Sequence, residues 1–289
     1  MNLLDMRQVA FLGLGAMGLP MARNLTKAGF KLHVTVHRDP APAEELRSLG
    51  AEVHASAASA IASAGVIVSI LPEDKQMREV LLAEAVLAAV KPGQLLLEMT
   101  SGTPGAMKEV AQAYASKGAA VLDAPVSGGT IGAEKGTLTV MAGGSEEALQ
   151  QVQPILEAIA QTVHKVGEIG AGKAVKAINQ MMAAVHMLAA SEAIALSERL
   201  GVDLDALQKV IGSSSGGSWM FANKAQAIAE RSFQPGFKLN LMKKDIGIAL
   251  QEGLGQPLPV TALALQLFEM AAKENGELDF AAVSRVIRG

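Results

Sequence analysis

The chain has 289 residues, 50% of them hydrophobic and 3% aromatic, with a formal net charge of -3. That length holds two packed cores, and that composition excludes a disordered chain. The charge gives no electrostatic case for nucleic acid or an anionic membrane, and the absence of cysteine excludes disulfides, thiolate zinc sites and cysteine nucleophiles.

In chain order, short β-branched runs predict strands at 8–12, 31–36, 66–70, 95–98, 120–123, 139–142 and 162–166. Alanine-rich segments of helical length separate most of them, as at 20–28, 104–116 and 146–160. Strands alternating with helices predict an α/β domain with a mostly parallel sheet. The pattern changes after 167. Residues 173–200 contain neither proline nor glycine and are dominated by alanine, methionine and leucine. That predicts a long helix, apolar on most of its circumference and buried on several sides, as the spine of a second domain or against another subunit. The remainder reads as helices punctuated at Gly201, 213–217, Pro235-Gly236 and 255–259. The expected division is a dinucleotide-binding domain at 1–167 and an all-helical domain at 168–289. No stretch of about 18 uninterrupted apolar residues predicts a membrane span, and the first residues lack the layout of a signal peptide, so a cytoplasmic location is expected.

The most informative segment opens the chain. Gly13-Leu14-Gly15-Ala16-Met17-Gly18 follows a strand and starts a helix. This is the context in which such a loop holds a dinucleotide pyrophosphate. Gly13 permits the turn, Gly15 admits the backbone to the phosphates and Gly18 lets the helix pack on the strand. The helix N-terminus offers N–H groups and partial positive charge to the anion. About 20 residues on, where an acid would bind the ribose hydroxyls of NAD, stand His37 and Arg38. An arginine suits the 2′-phosphate of NADP. NADP is therefore expected over NAD, with Asp39 as the counterargument.

The run Phe11 to Leu25, including Met17, Pro20, Met21 and Asn24, resembles the opening signature of the β-hydroxyacid dehydrogenase family. Further blocks in order are Leu71-Pro72, Glu98-Met99-Thr100-Ser101, the segment from Asp123 to Thr130, Gly170-Ala171-Gly172-x-x-x-Lys176-x-x-Asn179-Gln180 and Leu241-Met242-Lys243-Lys244-Asp245. The resemblance implies a Rossmann domain, a long interdomain helix and an all-α C-terminal domain, assembled as dimers or tetramers. It also implies an NAD(P)-dependent enzyme that interconverts a short β-hydroxy acid and its aldehyde acid.

The loop at Ser127, Gly128 and Gly129 follows a strand and so falls at the carboxyl end of the sheet, where ligands bind in such folds. Its successive N–H groups could form an anion nest; a simple tight turn explains the same spacing equally well. The resemblance assigns it to the substrate carboxylate. Lys176, Asn179 and Gln180 share one helix face by their spacing. A lysine on an apolar helix loses solvation, which favours its neutral form and makes it a usable acid or base. The resemblance makes Lys176 the catalytic lysine and Asn179 its supporting amide, with Gln180 replacing a second asparagine. It assigns Leu71, Pro72, Thr100 and Lys244 to the cofactor. Lys173 is a rival lysine at the motif's variable position. Trp219, Met220 and Phe221 fit either a pocket lining or helical core packing. The five histidines show no metal-ligand spacing, and His186 is expected to be a satisfied core histidine.

Three other readings compete. An imine reductase shares the architecture but generally lacks the lysine. A 6-phosphogluconate dehydrogenase needs a larger helical domain and Lys-x-x-His-Asn. A noncatalytic dinucleotide-binding scaffold would have lost Lys176.

Overall fold

The computed structural model describes residues 5–288. Among the described residues nine strands run in chain order: β1 (Gln8–Leu12), β2 (Lys31–Thr35), β3 (Glu52–His54), β4 (Val66–Ser69), β5 (Leu95–Glu98), β6 (Ala120–Asp123), β7 (Val126–Ser127), β8 (Leu138–Gly143) and β9 (Ala160–Gly167). They form one sheet ordered β3-β2-β1-β4-β5-β6-β8-β7, with β9 on β8. β1 through β6 are parallel, and β8 runs antiparallel to β6 and β7.

β4 and β5 are buried at every residue, as befits parallel strands covered by helices on both faces. Val9, Phe11, Val34, Val66, Val68 and Leu97 face one core with Met21 and Leu25 from the helix Gly18–Lys27. Ala10, Leu12, Ile67 and Leu96 face the other with Met77, Val110 and Tyr114. The chain leaves β1 toward β2 and β3, then returns to β4 on the opposite side. That reversal opens a crevice at the carboxyl ends of β1 and β4, where α/β sheets hold ligands.

The expected mostly parallel sheet is present, with three differences in detail. β3 and β7 were not anticipated, because Glu-Val-His is short and polar and Val126–Ser127 has only two residues. The single helix expected at 146–160 is two, Glu146–Gln151 and Gln153–Ile159, and Ala160 belongs to β9. Pro154 has no N–H to continue the first helix.

The chain divides into two compact units after Lys176. The helix Ala171–Leu200 runs through this division, as long as its composition predicts. The second unit is helical, with Leu204–Gly212, Trp219–Ala229, Leu239–Glu252 and Pro259–Asn275. Its core gathers Met187, Ile194, Phe221, Ile246, Phe268 and Phe280. Phe221 and Met220 pack into this core and Trp219 is exposed, so the core reading holds for two of the three. His186 is only half-buried, beside Met182, Val185 and Pro257, rather than in the core. Among the described residues no helix is long and apolar enough to cross a membrane.

Candidate active site

β1 delivers the chain into the glycine loop. Gly13 has φ +104°, and a Cβ there would fall 2.1 Å from the Ile70 carbonyl oxygen. A Cβ on Gly18 would fall 1.8 Å from the Gly13 oxygen. Both glycines are demanded by the protein's own packing. Gly15 is different: a Cβ there would meet nothing within 4 Å. Its bareness serves no internal contact and leaves the backbone open to an approaching group. Ala16 is exposed beside it, and Leu14 and Met17 are half-buried. The helix Gly18–Lys27 starts with no side-chain cap from Met17, and although its Leu19 N–H already donates to the Gly15 carbonyl at 3.0 Å, the positive end of its dipole faces the loop. This cradle fits a dinucleotide pyrophosphate.

Beyond β2, His37, Arg38 and Asp39 are all exposed. Asp39 Oδ1 accepts a hydrogen bond from the Ala41 N–H at 2.9 Å, which turns its carboxylate onto the start of the next helix. At the other side of the crevice Leu71 is half-buried and Pro72 exposed. The Leu71 N–H donates to Thr100 Oγ1 at 3.0 Å, tying the loops after β4 and β5 together. Thr100 is fully buried.

Below that loop lies a buried charge cluster that sequence reasoning missed. Glu98 and Asp123 stand opposite each other at the ends of β5 and β6. The Lys173 ammonium bonds Glu98 Oε2 and the Thr100 carbonyl and lies 3.5 Å from Asp123 Oδ1. All three side chains are fully buried. Ser69 Oγ and the Thr100 N–H both donate to Glu98 Oε1 at 3.1 Å. The N–H groups of Gly170 and Lys173 donate to Asp123 Oδ2 at 3.0 and 3.1 Å. Burial pushes the Asp123 carboxyl above its ordinary range, with Lys173 opposing. Two acids ending neighbouring buried strands require a buried cation, and it is the β5–β6 register that makes these two neighbours.

This cluster fixes where the long helix begins. Gly170 has φ +95°, and a Cβ on Gly172 would sit 2.4 Å from the Met141 oxygen and 2.8 Å from the Asp123 oxygen. The helix start therefore abuts the end of β6, and Lys176 follows one turn later, 7% exposed. From the same end of β6 the chain enters Ser127, half-buried, then Gly128 and Gly129 with φ +131° and +62°. Two consecutive left-handed residues form a turn only glycine adopts freely. Asn24 Nδ2 donates to the Ala133 carbonyl at 2.8 Å, fastening the glycine-loop helix to the segment after this turn.

In the second unit, Asn179 Nδ2 donates to Gln180 Oε1 at 3.1 Å and Gln180 Nε2 to Asp245 Oδ2 at 2.9 Å. The Lys244 ammonium pairs with Asp245 Oδ1 at 3.1 Å. Asn179, Gln180, Asp245 and Lys244 thus form one polar chain, with Asp245 and Gln180 buried.

A doubly wound sheet, a bare glycine at its crevice and polar residues gathered along its carboxyl edge define a nicotinamide-dinucleotide oxidoreductase. Residues 8–167 match the family described as the NAD binding domain of 6-phosphogluconate dehydrogenase, and residues 170–287 that described as NAD-binding of NADP-dependent 3-hydroxyisobutyrate dehydrogenase. The chain belongs to the β-hydroxyacid dehydrogenase family, whose members are NAD(P)-dependent enzymes acting on the hydroxyl group of hydroxy acids. An NAD-dependent L-serine dehydrogenase of Pseudomonas aeruginosa is 37% identical, covering 97% of this chain and 98% of the relative. An L-threonate dehydrogenase of Cupriavidus necator is 37% identical over 98% of this chain and 97% of its own. The solved structure of Mycobacterium tuberculosis 3-hydroxyisobutyrate dehydrogenase with L-serine superposes with TM-score 0.89 at 35% identity, covering 97% of this chain and 99% of that one.

Proposed function

We propose that this enzyme interconverts a short β-hydroxy acid and its aldehyde acid, with tartronate semialdehyde as first substrate and NADP as preferred cofactor. The observation that carries the reading is Lys176, a buried lysine held at the carboxyl edge of the sheet by the packing of Gly172. When bound, the nicotinamide supplies or accepts the hydride. Gly13, Leu14, Gly15, Ala16, Met17 and Gly18 cradle its pyrophosphate, Arg38 and His37 meet the ribose phosphate, and Leu71, Pro72, Thr100 and Lys244 complete its site. Ser127, Gly128 and Gly129 take the substrate carboxylate through their N–H groups and the Ser127 hydroxyl, and Asn179 and Gln180 are the substrate-binding residues of the second unit. In the reductive direction the Lys176 ammonium stabilises the forming substrate alkoxide and protonates it; in the oxidative direction the neutral amine accepts the hydroxyl proton. Asn179 holds the substrate oxygen in line.

The domain roles follow: 1–167 binds the dinucleotide, and 168–289 completes the substrate site and the subunit interface. A homodimer or homotetramer is supported by Ile178, Met182, Leu196 and Leu200, which share one face of the long helix and are each at least half exposed. The location is cytoplasmic.

The test is a panel of tartronate semialdehyde, succinic semialdehyde, 3-hydroxyisobutyrate, L-threonate and L-serine, read by cofactor absorbance. Lys176→Ala is expected to bind cofactor normally and lose several orders of magnitude in kcat. Near-full activity in that variant refutes the assignment, and turnover of no panel member supports a noncatalytic scaffold.

A further inference from the structure

β2 and β3 form one edge of the sheet, with β1, β4 and β5 between them and β6. In their parallel register His33 stands opposite Glu52, and Thr35 opposite His54. Residues two apart on a strand face the same side, so Glu52 and His54 flank His33. His33 Nδ1 lies 2.9 Å from His54 Nε2. The Glu52 carboxylate reaches to 3.8 Å from His33 Nδ1 and 3.6 Å from His54 Nε2. Three ligand atoms, one from each side chain, lie within 4.8 Å of one another.

The support behind these atoms is also in place. His33 is buried, and its Nε2 is bonded at 2.8 Å to Gln8 Oε1 on β1. An amide oxygen only accepts, so Nε2 carries the proton and Nδ1 turns its lone pair toward His54 and Glu52. A ligating histidine fixed through its other nitrogen by an oxygen acceptor is the arrangement that orients imidazoles in metal sites. The Lys31 ammonium, 3.5 Å from Glu52 Oε2, is a competing cation beside the cluster.

We propose that His33, His54 and Glu52, with Gln8 behind His33, form a site for a borderline divalent cation of the Zn²⁺ class, distinct from the dehydrogenase site and independent of its assignment. Two imidazole nitrogens and one carboxylate oxygen suit such an ion and leave a fourth position to solvent. The cation joins Glu52 and His54 of a three-residue edge strand to the buried His33 of its neighbour. It stabilises the native sheet because the unfolded chain does not bring residues 33 and 54 together.

The experiment uses the full chain, stripped with chelator and desalted, then dialysed against ZnCl₂ or CoCl₂ with metal quantified by mass spectrometry. Wild type is expected to take up one Zn²⁺ per chain, to gain in Tm on addition, and to give the visible absorption of four-coordinate cobalt. His54→Gln, at a half-buried position that leaves His33 in place, abolishes all three. Gln8→Ala keeps the ligands and weakens binding about 10- to 100-fold, as loss of an outer-shell partner does. Far-ultraviolet circular dichroism of each metal-free variant confirms that it is folded. The proposal is overturned if wild type binds no zinc at micromolar concentration, or if folded His54→Gln and Glu52→Gln bind it as tightly as wild type.

Discussion

Lys173 pairs with Glu98 inside the protein, neither side chain reaching solvent, and the same ammonium closes on Asp123 and on the Thr100 carbonyl. Removing the cation leaves two opposed carboxylates buried at the ends of β5 and β6. Lys173→Met is expected to cost about 3–5 kcal/mol, the usual penalty for stranding buried charge. Urea unfolding measures it. Adding Glu98→Gln to that variant should recover part of the loss, and additive losses would show that the pair is not coupled.

The Asp123 carboxyl lies above its ordinary value of 3.8 because burial outweighs Lys173 and the N–H groups that face it. A group whose folded pKa is raised contributes stability that is fully present below the unfolded value and is lost as pH rises through the folded one. Asp123→Asn keeps an oxygen for the Gly170 and Lys173 N–H groups and should remove that decline. Tm followed upward from about pH 4 tests this, and parallel profiles for wild type and variant would contradict it.

Gly13 and Gly15 separate structural from ligand-driven glycine. Gly13→Ala meets the Ile70 carbonyl in a left-handed conformation and should lower Tm, by a strain of about 1–3 kcal/mol. The Cβ of Gly15→Val meets nothing within 4 Å, so Tm of the cofactor-free enzyme should hold while cofactor KM rises steeply. A Gly15→Val variant with unchanged KM would remove the pyrophosphate from this loop.

Arg38 is exposed where Asp39 is turned onto the Ala41 N–H. Wild type should therefore show the higher kcat/KM with NADPH, and Arg38→Ala should raise KM for NADPH with little change for NADH. A clear preference for NADH in wild type would reverse the assignment.

Tyr114 is buried, and its hydroxyl lacks a hydrogen-bond partner among the described residues. Burial accordingly pushes its pKa up. Tyr114→Phe removes an unsatisfied polar atom without opening a cavity, so stability should be unchanged or rise by up to about 1 kcal/mol. A loss of Tm would point to a partner for that oxygen.

The strands that carry the crevice were legible because Val66-Ile67-Val68 and Leu95-Leu96-Leu97 are continuous apolar runs, as burial on two faces requires. The glycine loop was legible because three backbone constraints fall within six residues. Lys173 was not: its partners lie 75 and 50 positions away, and only the β5–β6 register sets them side by side. The same limit hid His33 and His54. Ligand spacing within one element is visible in a sequence, whereas ligands on adjacent parallel strands are separated by a crossover whose length carries no information about them.

The charge cluster also constrains how this protein's descendants can change. With two acids and one lysine, Glu98 can become neutral and leave a balanced Lys173–Asp123 pair. Lys173 cannot go first without stranding both acids. Substitution at these positions therefore has a permitted order, and a lineage that has once neutralised residue 98 can lose the lysine more cheaply than this one can.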